Sequence, residues 1–329
     1  MTNEKAVKLQ LKLLNKKLLK QYKEEYEYPR KNPKDYEKQL KLRIKKLIRF
    51  LNPLISEAVN VFHVPNEKGR KSKLSLEQKV RILLLKQLVG KSNRMMSYLL
   101  EIFYLMFDVD ISYKTIERLY EDNEVYLALH NLMILILRKK KVDKIDSSGD
   151  ATCYGLSVSI HYRSYAEKLK DKAKVADYKK KKFIYQFVLM DLKTKMYVCY
   201  GTSLQSEKDA YNKAMDYLKQ TGISINTIRL DRYYSNPGDV NKFKNCKIYF
   251  IPKTNVTMAN GIYWNERLTE FVEDVFNYLK EYFKRNNSES QFAVDKKLFG
   301  WRISQKIESR MDTALFVNVV WKNLFKLYA

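Results

Sequence analysis

Residues 183–203 read FIYQFVLMDLKTKMYVCYGTS, and this stretch carries the clearest indication of the fold. Two runs rich in aromatic and β-branched residues flank the polar segment DLKTK, which is the pattern of a β-hairpin. Downstream, residues 207–222 (EKDAYNKAMDYLKQTG) predict a helix that ends at Gly222. Further strands are predicted at residues 225–231 (INTIRLD) and 246–253 (CKIYFIPK).

The segments on either side of this region complete the predicted architecture. Upstream, VDKID at residues 142–146 predicts a short first strand, and the chain reads as helical from about residue 265 to 327. A sheet that begins with a strand and a hairpin and then alternates strands with helices is mixed, with helices on its faces. The sequence therefore predicts an α/β domain over residues 140–329.

The part of the chain before this domain reads as almost entirely helical. Within residues 64–139, Ser75 is a predicted N-cap with Gln78 at the capping-box position, and Gly90 ends the helix that follows. A second helix comes next, and a third begins at Ser112 in ISYKTIERLY. This order is typical of a helix-turn-helix DNA-binding domain, with small helical bundles as the alternative. The residues predicted to face the DNA groove are Lys114, Thr115 and Arg118.

Residues 1–63 form a predicted basic helical arm. The first 50 residues hold 13 Lys and 3 Arg against 6 acidic residues, a net charge of +10. Leucines alternate with lysines at helical spacing, and a second basic helix over about 34–51 is expected to stop before Pro53. Direct DNA contact and dimerisation through an amphipathic face both remain open for this arm.

The overall composition favours a polyanionic partner. Lys and Arg total 63 against 37 Asp and Glu, so the net charge is +26, while 45% of the residues are hydrophobic. A foldable chain with that charge most often binds nucleic acid. Three distant cysteines and three histidines exclude a disulfide scaffold and a Cys/His zinc cluster. Apolar runs are too short for a membrane span and the N-terminus lacks a secretory pattern, so a cytoplasmic location is expected.

A second concentration of positive charge lies between the predicted first strand and the hairpin. Residues 168–182 hold eight Lys and two Asp, and a connection of this kind needs no such length. We interpret it as a basic loop whose root lies near the first strand and which contacts DNA phosphates, with a solvated charge run as the alternative. Its most concentrated part consists of Lys179, Lys180, Lys181 and Lys182.

Two acidic residues follow predicted strands and are candidates for a metal site. Asp146 ends the first strand, directly before Ser-Ser-Gly, and Asp231 ends INTIRL. Because sites form where strand ends meet loops, these carboxylates are expected to converge. Phosphoryl transfer on nucleic acid commonly uses two divalent ions held by such carboxylates. Asp150 and Asp143 remain alternatives to Asp146, whereas Asp209 is interpreted as a first-turn helix acid.

The third acid comes from a helical constellation near the C-terminus. Tyr282, Arg285, Glu289 and Lys296 stand at offsets 0, 3, 7 and 14, which places them within a stripe of about 60° on one helix. An amphipathic helix with a polar edge gives the same pattern, and Glu273 and Glu281 are alternative third acids.

This Tyr-(2)-Arg-(3)-Glu-(6)-Lys pattern resembles the signature of DDE transposases of bacterial and archaeal insertion sequences. IDSSG, LDRYYS, IPKTN and the 183–203 hairpin resemble segments that accompany the signature, so the resemblance covers about residues 140–329. It implies an RNase H-like catalytic domain in which Asp146, Asp231 and Glu289 bind two Mg²⁺ ions, with Mn²⁺ as a substitute. Residues implied to hold DNA phosphates are Tyr282, Arg285 and Lys296.

The implied function is metal-dependent cleavage of double-stranded DNA at transposon terminal repeats and strand transfer into target DNA. The resemblance also implies a homodimer in the DNA complex and a nucleoid-associated location in a prokaryotic or archaeal cell. Only 58 positions separate Asp231 from Glu289, which leaves no room for the long β-strand insertion of several such enzymes and favours a compact catalytic core. A non-catalytic DNA-binding regulator and a nuclease without strand transfer are the alternatives.

Two tryptophans near the C-terminus have two possible roles. Trp301 and Trp321 are expected in the hydrophobic core, and the alternative is a stacking contact with a DNA base.

Overall fold

The computed structural model describes residues 33–61, 73–102 without 91, 111–156, and 183–328 without 244, 254–255 and 258–260, together with isolated helical positions between 13 and 20. The chain divides into two compact units, Met1–Lys45 and Lys46–Ala329. The second unit has a mixed α/β architecture, as the element order predicts. No helix in the described ranges is both long and apolar enough to span a bilayer.

The described strands form one six-stranded mixed sheet with the order β3-β2-β1-β4-β5, to which β6 adds by pairing with β1. Strand β2 is antiparallel to β1 and β3, whereas β4 and β6 are parallel to β1. The strands are β1 (Lys144–Leu156), β2 (Phe183–Asp191), β3 (Tyr197–Ser203), β4 (Ser224–Arg229), β5 (Lys247–Tyr249) and β6 (Arg302–Ile303).

Strand β1 is the central element and is longer than VDKID predicts. It spans 13 residues because β2 pairs with it from Ser147 as far as Gly155. On its other edge, β4 pairs with β1 up to Ser148 and β6 pairs from Gly155 onward. Residues 149–154 of β1 therefore lie beyond the last residue pair with β4 and before the first with β6, and this stretch carries Asp150.

The structure describes eleven α-helices. They are α1 (Pro33–Val59), α2 (Leu76–Val89), α3 (Asn93–Ile102), α4 (Tyr113–Leu119), α5 (Asn123–Lys139), α6 (Glu207–Thr221), α7 (Pro237–Val240), α8 (Ile262–Glu273), α9 (Val275–Tyr282), α10 (Asn286–Phe299) and α11 (Glu308–Leu327). Short 3-10 turns occur at Arg232–Tyr234, Asn241–Phe243 and Phe283–Arg285.

The predicted boundary between residues 139 and 140 does not separate two compact units. Helices α2 and α5 pack on α11 at the other end of the chain, and their buried residues join the core of the sheet. The Trp321 indole donates to the carbonyl of Leu84 at 2.8 Å, and the Gln87 amide donates to Asn318 at 2.9 Å. The core prediction for Trp321 is thereby confirmed.

Local signals in the sequence correspond closely to the described helix ends. Ser75 and Gln78 form the predicted capping box, Ser112 caps α4, and Gly90 and Gly222 end α2 and α6 in the left-handed conformation. The left-handed backbone explains the glycines, because a side chain would be strained there.

The expectation that the second basic helix stops before Pro53 is wrong. Helix α1 continues through Pro53 to Val59, although an interior proline removes one backbone hydrogen bond. Leu54, Ile55 and Ala58 follow the proline and are buried in the core, so their packing offsets the local cost.

Candidate active site

Asp150 and Asp231 come from neighbouring parallel strands. Ser148 of β1 lies opposite Arg229 of β4. Asp150 comes two residues after Ser148, and Asp231 comes two residues after Arg229. Asp150 is only 8% exposed. Asp231 caps the 3-10 turn that follows β4, where its Oδ1 accepts a hydrogen bond from the Arg232 amide at 2.5 Å. The parallel register thus brings the two acids to the same end of the β1–β4 pair.

Arg285 joins Asp150 to Glu289. Its Nη1 donates to Asp150 Oδ2 at 2.8 Å and its Nη2 donates to Glu289 Oε1 at 2.7 Å. The Asp150 and Arg285 side chains are mostly buried, whereas Glu289 is half exposed. The Arg285 guanidinium therefore lies between the carboxylate of Asp150 on β1 and that of Glu289 on α10.

The electrostatics of this cluster are those of crowded acids around one cation. Burial raises the pKa of the Asp150 carboxyl to about 6, with smaller upward contributions from Glu289 and Asp231. The Arg285 guanidinium and the Ala151 amide oppose that shift without cancelling it. For Arg285, burial lowers the pKa, but the surrounding acids outweigh it and raise the pKa overall.

Asp146 lies elsewhere, which contradicts its predicted convergence with Asp231 and Glu289. It precedes Asp150 by four residues, about 13 Å along an extended strand. Its Oδ1 accepts from Thr227 Oγ1 at 2.6 Å and from Asn226 Nδ2 at 3.1 Å. Burial acts to raise the pKa of Asp146, but these hydrogen bonds and nearby cations lower it overall.

The other alternative acids also lie outside the cluster. Asp143 accepts from the neighbouring Lys144 amide, and Glu281 forms ion pairs with Arg229 and Lys284. Glu273 is the last residue of α8. Asp209 stands in the first turn of α6 and pairs with Lys213 at 3.1 Å, as a first-turn acid does.

Two buried serines hold the start of α10 against β1, beside Asp150. Ser148 Oγ and Ser288 Oγ lie 2.6 Å apart, and both side chains are fully buried. Ser148 Oγ also donates to the Arg285 carbonyl at 3.3 Å. Because Glu289 follows Ser288 directly, this contact fixes the position of the third acid relative to the strand that carries Asp150.

A buried ion pair anchors the other end of α10. Lys322 Nζ of α11 donates to Asp295 Oδ1 at 2.7 Å, and the Tyr197 hydroxyl donates to Asp295 Oδ2 at 2.5 Å. No pattern in the sequence indicates this ion pair or the serine pair. Their partners lie 27 to 140 residues apart, so no local spacing indicates them.

The Tyr282–Lys296 constellation does not lie on one continuous helix. The 3-10 turn Phe283–Arg285 separates α9 from α10, so the predicted common stripe is interrupted. Tyr282 is buried in a cluster with Tyr249 and Tyr278, and the Arg285 guanidinium lies 6.0 Å from the Tyr282 ring centroid. Arg285 and Glu289 are nevertheless brought together.

Lys296 lies between two aromatic rings. Its Nζ is 5.3 Å from the Tyr154 ring centroid and 5.1 Å from the Trp301 ring centroid. Burial lowers the pKa of Lys296, and the nearby Cys153 thiol opposes that shift. The core prediction for Trp301 is wrong, since the side chain is 62% exposed at the edge where β6 meets β1.

The residues predicted to read DNA lie on helix α4. Lys114 and Arg118 of α4 are exposed, while Thr115 is partly buried and its hydroxyl contacts that of Ser112 at 3.1 Å. Lys179, Lys180, Lys181 and Lys182 lie outside the described residues. The last described position before them, Leu156, pairs with Ile303 of β6 and is ten residues from Asp146 along β1.

The acids supply the oxygen ligands that a hard divalent cation prefers. Across the described ranges, no group of three His, Cys, Asp or Glu residues is arranged closely enough to hold a metal ion. With Arg285 between them, the carboxylates of Asp150 and Glu289 face a guanidinium instead.

Comparison with known proteins shows an extensive match to a transposase of an archaeal insertion sequence. The chain is 43% identical over 283 residues to a probable transposase for insertion sequence element ISA1214 from Archaeoglobus fulgidus, a match that covers 86% of this chain and 84% of the relative. Among solved structures it is similar to a piggyBac transposase synaptic complex with hairpin DNA, at 8% identity and a TM-score of 0.41, covering 84% of this chain and 70% of the other. No family model matches the chain.

Proposed function

Because the chain belongs to the insertion-sequence transposases, we propose that it is a DDE-type enzyme that cuts DNA at the ends of its element and joins them to target DNA. The observation that carries this proposal is the grouping of Asp150, Asp231 and Glu289 around Arg285 beside the open edge of β1. The strand order β3-β2-β1-β4-β5, with β2 antiparallel, supports an RNase H-like catalytic domain.

The first acid of the proposed triad is Asp150, and Asp146 is not part of it. Asp150 shares the electrostatic environment of Asp231 and Glu289, whereas Asp146 is hydrogen-bonded to two β4 side chains. Among the candidates for the first acid, Asp150 is the mostly buried carboxylate whose pKa Asp231 and Glu289 both influence.

Carboxylate oxygens are the donors that Mg²⁺ or Mn²⁺ prefers, and two of these carboxylates, Asp150 and Glu289, already hold a cation, the Arg285 guanidinium. The three acids are not close enough together in this structure to hold an ion, so metal binding requires Arg285 to leave and the carboxylates to draw together. Asp150, Asp231 and Glu289 would hold two ions. When bound, such ions activate the attacking oxygen and neutralise charge on the scissile phosphate. The chain itself contributes the positions of the carboxylates, and the Ser148–Ser288 contact fixes Asp150 and Glu289 relative to each other.

The remaining candidate residues fit roles in DNA binding. Arg285 is placed to transfer from the carboxylates to a DNA phosphate, since guanidinium groups bind both kinds of anion in the same bidentate manner. Lys296 is placed to contact a phosphate two helical turns from Glu289. We assign end recognition to α4 through Lys114, Thr115 and Arg118, and we propose that two copies hold the two ends together in a homodimer.

The test is an assay of purified protein with Mg²⁺ and a labelled duplex that carries a candidate terminal repeat. We expect strand cleavage followed by joining to a second duplex, and loss of both when the metal is chelated. Cleavage without joining would identify a nuclease, and binding without cleavage would identify a non-catalytic regulator. Either result would contradict the proposed function.

A further inference from the structure

Arg310, near the start of α11, holds the helix to which end recognition is assigned. Its Nη1 donates to the carboxylate of Glu117 on α4, and its Nη2 donates to Glu121 Oε2 at 2.7 Å. Only 13% of the Arg310 side chain is exposed. A guanidinium has its N–H groups in a rigid arrangement, so it fixes the direction of the groups that it binds. This contact therefore orients α4 against α11.

A buried hydrogen bond beside this ion pair holds the end of the same helix. The Thr313 hydroxyl of α11 lies 2.8 Å from the carbonyl of Tyr120, the residue that ends α4, and 3.1 Å from the Ser309 carbonyl of its own helix. Of the seven residues of α4, Ile116 and Leu119 are buried, and apolar contacts of this kind are non-directional. The polar contacts with α11 therefore determine how α4 presents its predicted reading residues.

Helix α11 is also joined to the candidate active site. Lys322 lies twelve residues after Arg310, about 18 Å along the helix axis, and pairs with Asp295 of α10. Helix α10 carries Glu289. Most side chains of α11 between residues 311 and 324 are buried, so close packing keeps this helix in place. One rigid helix thus connects α4 to the helix that carries the third acid.

We propose that Arg310 is a positioning residue that sets the distance between the sequence read by α4 and the bond that is cut. With α4 fixed near the start of α11 and α10 fixed further along it, a bound terminal repeat places one phosphodiester at the candidate active site. Cleavage then falls at one position, counted from the repeat. This inference rests on the proposed function, because it requires both end recognition by α4 and cleavage at the three carboxylates.

Arg310→Met is expected to reduce both end specificity and the precision of the cut. Methionine keeps an apolar stem but loses both ion pairs, so the orientation of α4 is no longer fixed. One lost base contact lowers affinity by a factor of about 5 to 150. We expect the ratio of affinities for a terminal repeat and a scrambled duplex to fall by that factor, while affinity for the scrambled duplex, which depends on phosphate contacts, changes little. With Mg²⁺, cuts should spread over neighbouring nucleotides.

The matched control is Arg267→Met. Arg267 is 17% exposed and also pairs with two acids, Glu266 at 3.6 Å and Glu270 at 3.0 Å, but both partners lie on its own helix, α8. Arg310→Lys should retain part of the specificity, because lysine keeps the positive charge but not the two-pronged contact.

A second variant separates positioning from neutralisation of charge. In Arg310→Met alone, the carboxylates of Glu117 and Glu121 are left unpaired and repel DNA. Adding Glu117→Gln and Glu121→Gln removes that repulsion without restoring the link to α11. We expect this triple variant to remain as unspecific and as imprecise as Arg310→Met.

Three measurements are compared across these variants. Hydrogen exchange of the α4 amides in DNA-free protein reports the link itself, and it should be faster in Arg310→Met than in the wild type or Arg267→Met. Fluorescence anisotropy in chelator gives the affinities for the terminal repeat and the scrambled duplex. Cut positions are mapped to single nucleotides on a labelled strand with Mg²⁺.

Four outcomes would overturn the inference. They are unchanged α4 exchange in Arg310→Met, wild-type specificity with a single cut position in that variant, an equal loss in Arg267→Met, and recovery of specificity in the triple variant. A wild-type protein that neither prefers a terminal repeat nor cuts it would instead contradict the proposed function. The exchange measurement needs no DNA and would still decide whether Arg310 fixes α4, so the two failures are distinguishable.

Discussion

Arg285→Met is expected to tighten metal binding in the absence of DNA. Arg285 holds Asp150 at 2.8 Å and Glu289 at 2.7 Å, so a metal ion must displace the guanidinium from both. Because Glu289 is half exposed, we count only the buried contact with Asp150. A hydrogen bond to a charged group contributes about 1.5–3 kcal/mol, so its removal predicts a roughly 10- to 150-fold lower dissociation constant.

The measurement is a calorimetric titration of DNA-free protein with Mn²⁺ at pH 8. Burial raises the pKa of Asp150 to about 6, and removing the Arg285 charge raises it further. A pH of 8 is used so that the carboxyl is ionised in spite of this raised pKa. Lys284→Met is the matched control, since it removes the adjacent positive charge, which pairs with Glu281 instead. A dissociation constant within twofold of wild type, or equal tightening by Lys284→Met, would refute the reasoning.

Three further expectations follow from the same geometry. Lys322→Met leaves Asp295 charged and buried, so urea unfolding should show a loss of about 3–5 kcal/mol that the added Asp295→Asn largely restores; a loss under 1 kcal/mol would contradict the ion pair. Burial raises the pKa of Asp150 in the folded protein to about 6, above its ordinary value of 3.8, so the stability that the protonated carboxyl contributes at low pH is lost as the pH rises through 6. The free energy of unfolding of Asp150→Asn, measured in chelator relative to that of the wild type, should therefore increase by about 2–3 kcal/mol from pH 4 to pH 8. A difference that does not change with pH would contradict this. Replacing Lys179 through Lys182 with Ala should flatten the dependence of log affinity on log salt by roughly 2–3 units, and an unchanged slope would mean that these lysines do not contact DNA.

The sequence predicted the elements that local patterns define. The hairpin of β2 and β3, helix α6 with its glycine end, and the Ser75 capping box are each determined by neighbouring residues, and each is confirmed. The spacing of Arg285 and Glu289 is also local, at one helical turn, and their contact is present. The exposure of Lys114 on a capped helix follows from local sequence in the same way.

Local sequence does not single out Asp150 from Asp146 because β1 is defined by distant residues. The segment SSGDATC has little β-propensity, so the sequence predicts a strand that ends at Asp146, whereas pairing with β2 extends the strand past Asp150. Gly149 lies in that extension, where packing requires a glycine. A Cβ at this position would lie 2.7 Å from the Phe187 side chain and 2.8 Å from the Leu230 side chain. The contact of Asp150 with Arg285 spans 135 residues, which no spacing rule identifies.

The most direct test of the account compares Asp150→Asn with Asp146→Asn in strand cleavage of a labelled element end with Mg²⁺. Both variants change one carboxylate of β1 to an amide, and anisotropy in chelator should show wild-type DNA affinity for each. We expect Asp150→Asn to abolish cleavage, because it removes a proposed metal ligand, and Asp146→Asn to cleave at close to the wild-type rate. Cleavage by Asp150→Asn together with its loss in Asp146→Asn would contradict the assignment of Asp150, Asp231 and Glu289 as the metal site.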